Sequence, residues 1–454
     1  MTLLYTAVFF VLPNVPYWFW LNNLAPTRAV INIDYLVLGI FSVFFSRKYV
    51  VPLYIILCVV DAFVFVSKLY HFSPREFVYS TSYIRYSPVG LANSLSVGTF
   101  ITLVLFVISI LVIRKIALCK DIFISGFLAI LLTVTIFLDF ISGSNTVPLF
   151  TRLPFYSRVQ RIGINPANSG VFGLDIYSFL PNRSKPVMTN VPSASRIAIG
   201  KLAKYDGSGR NVAIVLVESW GKIENNEDFT DIIARPLFSQ PILKKYRVDR
   251  GSIPFHGSTT NAELRELCGL YGNYRDIFTV HPKNCLPKLF GDMGYQTTGL
   301  HGFYADMFDR ISWWPIVGIK HKIFLNDFKG IRRCGTAFPA VCDDYLVDKM
   351  GDTLTKTHQF VYALTINSHL PLPDELDNGS GLRCFEFSKL SDNAPCVLAQ
   401  KIRRVLTAVA QNALRNDIKP TQFIIVGDHS PPFLGSINEE FSSTHVPYII
   451  LTPT

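Results

Sequence analysis

Five long apolar runs crowd the first 145 residues, and they limit what this chain can become more than any other feature. They lie near residues 4–22, 29–46, 50–67, 94–113 and 122–142, each close to the roughly 20 residues that an α-helix needs to cross a bilayer's hydrocarbon core. Over all 454 residues, 49% are hydrophobic and 17% charged, which excludes a disordered chain and fits one ordinary soluble domain poorly. From residue 195 onward the chain changes character, with frequent Gly, Pro and charged residues. The expectation is three parts: a transmembrane domain of five α-helices over 1–145, an interfacial linker over 146–194, and a globular domain over 195–454.

Cations in short loops are retained on the cytoplasmic side and set the direction of insertion. Arg47 and Lys48 follow the second run, and Arg114, Lys115 and Lys120 follow the fourth. Both loops are therefore expected inside, and everything after the fifth run outside. The first run lacks a basic leader and contains Pro13 and Pro16, so it reads as a retained span and not a cleaved signal. Among the acidic residues in these runs, Asp34 and Asp139 read as interfacial, while Asp61 lies nearer mid-span, where a charge is costly. The loop over 68–93, with Tyr70, Phe72, Tyr79, Tyr83 and Tyr86, is aromatic enough for the outer interface. The net charge of +10 comes without a basic run or nucleic-acid module, so anionic lipid headgroups are the expected partner and nucleic acid is not.

Cysteine usage agrees with an exported domain. Cys58 and Cys119 belong to the apolar half, and the other six fall as Cys268 with Cys285, Cys334 with Cys342 and Cys384 with Cys396. Three close pairs outside the cell read as disulfides, although six cysteines permit about 15 connectivities.

Asn211 to Val217 is a continuous β-branched run, as expected of a parallel strand buried on both faces. Further strands are expected at 296–300, 359–366, 422–426 and 448–451, separated by helices near 260–270, 283–293, 343–355 and 395–414. Alternating strands and helices imply a mostly parallel central sheet with functional residues at the strands' carboxyl ends. Polar residues occupy those ends: Glu218, then His301, then Asn367 and His369, then Asp428 and His429. Carboxylate and imidazole together suit a divalent ion, and Glu218, Asp428 and His429 would leave a coordination position open. The segment from His256 to Asn261 supplies hydroxyls ahead of a helix whose N-terminus suits a phosphoryl group. Its plainer reading is a helix cap at Ser258 or Thr259, with Glu263 completing a capping box.

ESWG at 218–221, GSTTNAELRELCG at 257–269, FDR at 308–310, NSH at 367–369, GDHSPP at 427–432 and THVP at 444–447 carry a resemblance. In order and type they resemble the alkaline phosphatase and sulfatase superfamily, and within it the membrane-anchored phosphoglycerol and phosphoethanolamine transferases, which include lipoteichoic acid synthase and the glucan phosphoglycerol transferases. The resemblance implies an α/β sulfatase-like catalytic domain over 195–454, exported from a bacterial cytoplasmic membrane. It implies one divalent ion, Mn2+, Mg2+ or Zn2+, held by Glu218, Thr259, Asp428 and His429. Thr259 is implied as nucleophile, with Thr260 as runner-up. His369 is implied as a phosphate contact and proton carrier, Arg310 as a headgroup or phosphate contact, and His445 as a substrate or second-metal residue. Phe308 stands where the synthase has a tryptophan.

The implied reaction transfers phosphoglycerol or phosphoethanolamine from a phospholipid, phosphatidylglycerol or phosphatidylethanolamine, to an envelope glycan through an ester on threonine. The alternative is a membrane-anchored phosphodiesterase in which water replaces the acceptor. A more distant alternative is a scaffold that keeps the fold without catalysis. A formylglycine sulfatase is disfavoured, because Cys285-Leu286-Pro287-Lys288-Leu289 lacks the arginine of that motif and lies away from Thr259.

Overall fold

The computed structural model describes residues 2–15, 32, 34–69, 122–142, 188–200, 205, 207–224, 227–372, 382, 393–433 and 440–454, with single positions between 104 and 113. The aromatic loop after residue 69, most of the fourth apolar run, Arg114, Lys115, Lys120, Cys119, Cys384 and nearly all of the expected linker lie outside them. The chain divides into two compact units, an N-terminal one and a second built mainly from residues 184–432 and 437–454.

The described residues of the N-terminal unit are mainly helical. Its helices include Thr2–Thr6, Asp34–Ser42, Arg47–Leu69 and Ile122–Ser142, the last two of 23 and 21 residues. Among the described residues, no helix is long and apolar enough to cross a membrane. Tyr5, Phe9, Tyr35, Leu36, Tyr54, Cys58, Ile124 and Leu128 form its buried core. The helical stretch at the N-terminus gives way to turn at residues 12–14, beside Pro13. Asp61 is buried and accepts a hydrogen bond from the Tyr35 hydroxyl at 3.1 Å. A buried hydroxyl partner of this kind offsets part of the desolvation cost of the carboxyl.

The second unit is built on seven strands: β1 (Asn211–Val217), β2 (Tyr246–Pro254), β3 (Gln296–His301), β4 (His321–Ile323), β5 (Gln359–Leu364), β6 (Thr421–Gly427) and β7 (His445–Pro453). They lie in the order β2-β7-β6-β1-β5-β3-β4. The pairs β6/β1, β1/β5, β5/β3 and β3/β4 are parallel, and β7 runs antiparallel to both β6 and β2. Every residue of β1, β5 and β6 is buried, which explains why their apolar residues follow one another without alternating with polar ones. Burying each Val, Ile, Leu or Phe of this kind stabilises the fold by about 1.5–3 kcal/mol. The main helices are α1 (Thr259–Cys268), α2 (Leu286–Asp292), α3 (Asp343–Thr353) and α4 (Asn393–Leu414).

Within this unit the expected strands and helices are all present, most with ends displaced by one to three residues. β2 and β4 were not expected. β2 alternates exposed charges with few apolar residues along YRVDRGSIP, and β4 is only three residues long, so neither carries the signature of a buried strand. Disulfides join Cys268 to Cys285 and Cys334 to Cys342, and Cys396 is also disulfide-bonded. Cys58 is buried and takes part in neither of these disulfides.

Candidate active site and metal centre

The sheet register brings the site together. β1 and β6 are parallel neighbours with Val217 opposite Gly427, so the next residues, Glu218 and Asp428, leave the sheet side by side. The ladder runs one step further, the Asp428 amide donating to the Val217 carbonyl at 3.1 Å. β5 flanks β1 on the other side, with Leu216 opposite Leu364. This places Thr365 and Ser368 against the same loop: the Glu218 amide donates to Thr365 Oγ1 at 2.9 Å, and Ser368 Oγ donates to the Glu218 carbonyl at 2.6 Å. β2 leaves the same edge, and five residues past its end α1 begins with Thr259.

Glu218, Asp428 and His429 are 3%, 1% and 7% exposed, and one ligand atom from each lies within 4.8 Å of the other two. Thr259 Oγ1 sits among them, 3.3 Å from Glu218 Oε2, 3.0 Å from Asp428 Oδ2 and 3.4 Å from His429 Nε2. The His429 Nδ1–H faces the Ser430 carbonyl at 2.9 Å, a contact that leaves the lone pair on Nε2, turned to the carboxylates at 3.3 and 3.6 Å. Burial pushes both carboxyls up, Asp428 to about 7, with the adjoining Glu218 charge adding to the rise. Two carboxylates crowded out of water are stabilised by a proton or by a positive charge between them. Two carboxylates, an imidazole nitrogen and a hydroxyl converging at these distances fit a divalent cation.

Ser219 orients both carboxylates at once. Its amide donates to Asp428 Oδ1 at 2.7 Å and its hydroxyl to Glu218 Oε1 at 2.8 Å. To do so its backbone takes φ 56°, the left-handed region that favours glycine. Gly427 allows the approach from the other side: a Cβ there would lie 2.0 Å from the Trp220 carbonyl oxygen.

Ser258 occupies the residue before α1, but its side chain does not cap the helix; its hydroxyl lies 2.9 Å from that of Thr260. Glu263 completes no capping box either. It is buried within the fold, accepting from Arg310 Nε and Nη2 at 3.0 and 2.9 Å and from the Trp314 indole at 3.0 Å. The capping reading thus gives way, and the Thr259 hydroxyl is turned into the acidic cluster. Thr260 is buried and directed to Ser258 instead.

Arg310 is 2% exposed, and beyond the Glu263 pair its Nη1 donates to the Met307 carbonyl at 3.2 Å. These three donors are spent inside the fold. Phe308 and Asp309 just before it both have positive φ, so the FDR segment makes the tight turn that delivers this guanidinium to Glu263. His369 follows β5; its Nδ1–H faces the Leu370 carbonyl at 2.6 Å, and its ring stands edge-on to Phe338 with centroids 4.7 Å apart. Burial pushes it down to about 4, so at neutral pH the imidazole is uncharged with a lone pair on Nε2. His445 opens β7 opposite Pro254, its Nδ1 in contact with the Thr444 hydroxyl at 2.9 Å. It is not part of the Glu218, Asp428 and His429 group. His301 closes β3 with Nδ1 facing the Leu364 carbonyl at 3.1 Å, while its buried Nε2 has no hydrogen-bond partner in the structure.

The residue least visible beforehand is Arg265. It is 1% exposed, donates from Nη2 to the Gly427 carbonyl at 2.7 Å and from Nη1 to the Asp428 carbonyl at 3.3 Å, and pairs through Nε with Glu266 at 2.7 Å. The second Glu266 oxygen accepts from Ser193 Oγ, Ser195 N and Ser195 Oγ. One helix therefore carries the hydroxyl and also grips the loop bearing Asp428 and His429. The charged run ELRE inside an apparent helix was the available signal, and it reads as an exposed face until the sheet is in place.

No family model and no curated protein matches the chain. Solved structures similar to it include the lipoteichoic acid synthase LtaP from Listeria monocytogenes, at 16% identity and TM-score 0.38 over 55% of this chain and 66% of that one. A protein in the alkaline phosphatase superfamily from Vibrio parahaemolyticus is similar at 15% identity and TM-score 0.39, over 60% of this chain and 64% of that one. A third is the Streptococcus pyogenes phosphoglycerol transferase GacH in complex with sn-glycerol-1-phosphate, at 15% identity and TM-score 0.37 over 58% of this chain and 77% of that one. The chain thus spans less than two thirds of the length of the first two structures.

Proposed function

We propose that this chain is a membrane-bound, metal-dependent phosphotransferase of the sulfatase-like class. It moves a phosphoglycerol or phosphoethanolamine headgroup from a phospholipid to an envelope glycan. The observation that carries the reading is the Thr259 hydroxyl held within 3.4 Å of Glu218, Asp428 and His429. A side-chain oxygen so placed is an activated nucleophile for phosphoryl transfer. The five apolar runs supply the anchor, since a lipid donor never leaves the bilayer, and put the catalytic domain on the outer face of a bacterial cytoplasmic membrane.

Glu218, Asp428, His429 and Thr259 would hold one divalent ion, Mn2+, Mg2+ or Zn2+, whose chemistry when bound is Lewis acidity towards the hydroxyl and the phosphoryl oxygens. In the first step Thr259 Oγ attacks phosphorus and the bond to diacylglycerol breaks; the threonine proton, whose nearest acceptor is Asp428 Oδ2 at 3.0 Å, ends on the departing diacylglycerol oxygen. In the second step an acceptor hydroxyl attacks the same phosphorus, the bond to Thr259 breaks, and the proton released by the acceptor ends on the threonine oxygen. His369, neutral at rest, takes the acceptor's proton on Nε2. Arg310 holds Glu263 and with it the body of α1, and an approaching phosphate would compete for its guanidinium. His445, at the start of β7, would be a second contact for the headgroup or acceptor.

Spacing from Thr259 to Cys268 favours phosphoglycerol, and His445 with the disulfides favours phosphoethanolamine; phosphatidylglycerol is the first donor to test. The purified chain is incubated with fluorescent phosphatidylglycerol or phosphatidylethanolamine and a glycan acceptor. Diacylglycerol release that depends on a divalent ion, together with a modified glycan, supports the transferase. Release with free headgroup phosphate and no glycan product supports the phosphodiesterase. No release with either lipid contradicts both.

A further inference from the structure

A short hairpin pairs Arg333–Cys334 with Ala340–Val341 and is closed by the Cys334–Cys342 disulfide. It meets the histidine-bearing loop after β5 at several points. The Phe338 ring lies edge-on to the His369 imidazole at 4.7 Å and 82°. Asn367 reaches both ends of the disulfide loop: its Nδ2 donates to the Cys334 carbonyl at 3.3 Å, and its Oδ1 accepts from the Asp343 amide, one residue past Cys342, at 2.7 Å. The Asp343 carboxylate in turn accepts from the amides of Ile366 and Asn367 at 3.0 and 2.7 Å. On its other side the hairpin is tied to the end of β3, with the Val341 amide donating to the Gly302 carbonyl at 2.9 Å and Phe338 packed on Phe303 at 5.4 Å.

We infer that the disulfide-closed hairpin is a positioning element for His369, acting through Phe338 and Asn367. This rests on the proton-carrying role given to His369 above. A ladder with two residues per strand is not stable alone in water, and a covalent link across eight residues removes the looser conformations that compete with it. With the hairpin held, Phe338 walls one side of the imidazole while the Leu370 carbonyl takes its Nδ1–H, which leaves Nε2 as the working atom. Without it, Asn367 loses its Cys334 contact and the imidazole loses its wall.

The test uses the full chain in detergent with the p-nitrophenyl ester of phosphoglycerol as donor and glycerol as acceptor. Nitrophenolate departs without a proton, so formation of the Thr259 ester needs no acid, whereas attack by glycerol needs the base. Cys334→Ser/Cys342→Ser and Phe338→Leu should each keep the nitrophenolate burst within about threefold of wild type, lower steady-state turnover about 10- to 100-fold, and accumulate the Thr259 adduct. Phe338→Tyr, which keeps the ring, should restore turnover. Burst and steady state falling together in Phe338→Leu, or neither falling, overturns the inference even if the double cysteine variant does not fold. If the underlying reading is wrong, wild type itself gives no burst, or His369→Gln slows burst and turnover equally, and the inference falls with it.

Discussion

Thr259 Oγ1 and Asp428 Oδ2 lie 3.0 Å apart although 169 residues separate them in sequence. The contact is made by two independent routes through the sheet. Asp428 is placed by the parallel register of β6 on β1, and Thr259 by the exit of β2 from the same edge. Arg265 ties the routes together by carrying the carbonyls of Gly427 and Asp428 on the helix that Thr259 begins.

Arg265→Met should therefore be costly. It leaves Glu266 buried with its charge uncompensated, a class of change that typically costs about 3–5 kcal/mol. In a domain of this size the thermal midpoint should drop on the order of 10 °C. Differential scanning calorimetry of the purified chain checks this, and a drop of only a degree or two would show that the clamp contributes little.

Ser219→Ala removes the hydroxyl from Glu218 Oε1 and leaves the backbone in its unfavourable region. Groups that orient metal ligands typically contribute about 10- to 100-fold in metal affinity. The expected result is a divalent-ion titration shifted by that factor with the fold intact by circular dichroism. An unchanged titration would remove Ser219 from the account of the site.

The depressed His369 value sets a pH window. Between its ordinary 6.5 and the folded value of about 4, the unfolded chain binds a proton that the folded chain does not. Stability should therefore rise with pH across that interval and lose this contribution as pH falls through it. Turnover should likewise persist to below pH 6 and fail as pH approaches 4, where Nε2 becomes protonated. Calorimetry and initial rates from pH 4 to 8 test both, with His369→Gln as the variant in which this part of the stability slope disappears. A half-maximal rate near pH 6.5 limited by His369 would contradict an imidazole held neutral down to about pH 4.

The sheet was readable where its strands are buried on both faces, because there the side chains have no reason to alternate. NVAIVLV, QFVYAL and TQFIIVG announce themselves in this way; Glu218 and Asp428 directly follow the first and the last, and His369 comes five residues after the second. The edge strand YRVDRGSIP was not readable, since its charges face outward and its place depends on pairing with β7. Glu218, Asp428 and His429, the residues that could hold a metal ion, were legible as polar residues at strand ends. The roles of Arg265 and Glu263 were not, because both sit in a helix whose sequence suggests an exposed charged face, and only the tertiary fold turns that face inward to Gly427 and Arg310. Ser219 was hidden for a different reason: nothing in ESWG reveals a positive φ. Ser258 and Glu263 offered a local capping explanation for the same segment, and long-range partners displaced it.

In the proposed reaction Thr259 carries the headgroup as a phosphodiester during turnover. Intact-mass and peptide mass spectrometry of the chain, quenched after incubation with phosphatidylglycerol or phosphatidylethanolamine, tests it most directly. We expect one adduct, on the peptide containing Thr259, with the mass of a phosphoglycerol or a phosphoethanolamine, absent in Thr259→Ala. Diacylglycerol release at wild-type rates by Thr259→Ala, or an adduct on any other residue, would contradict it.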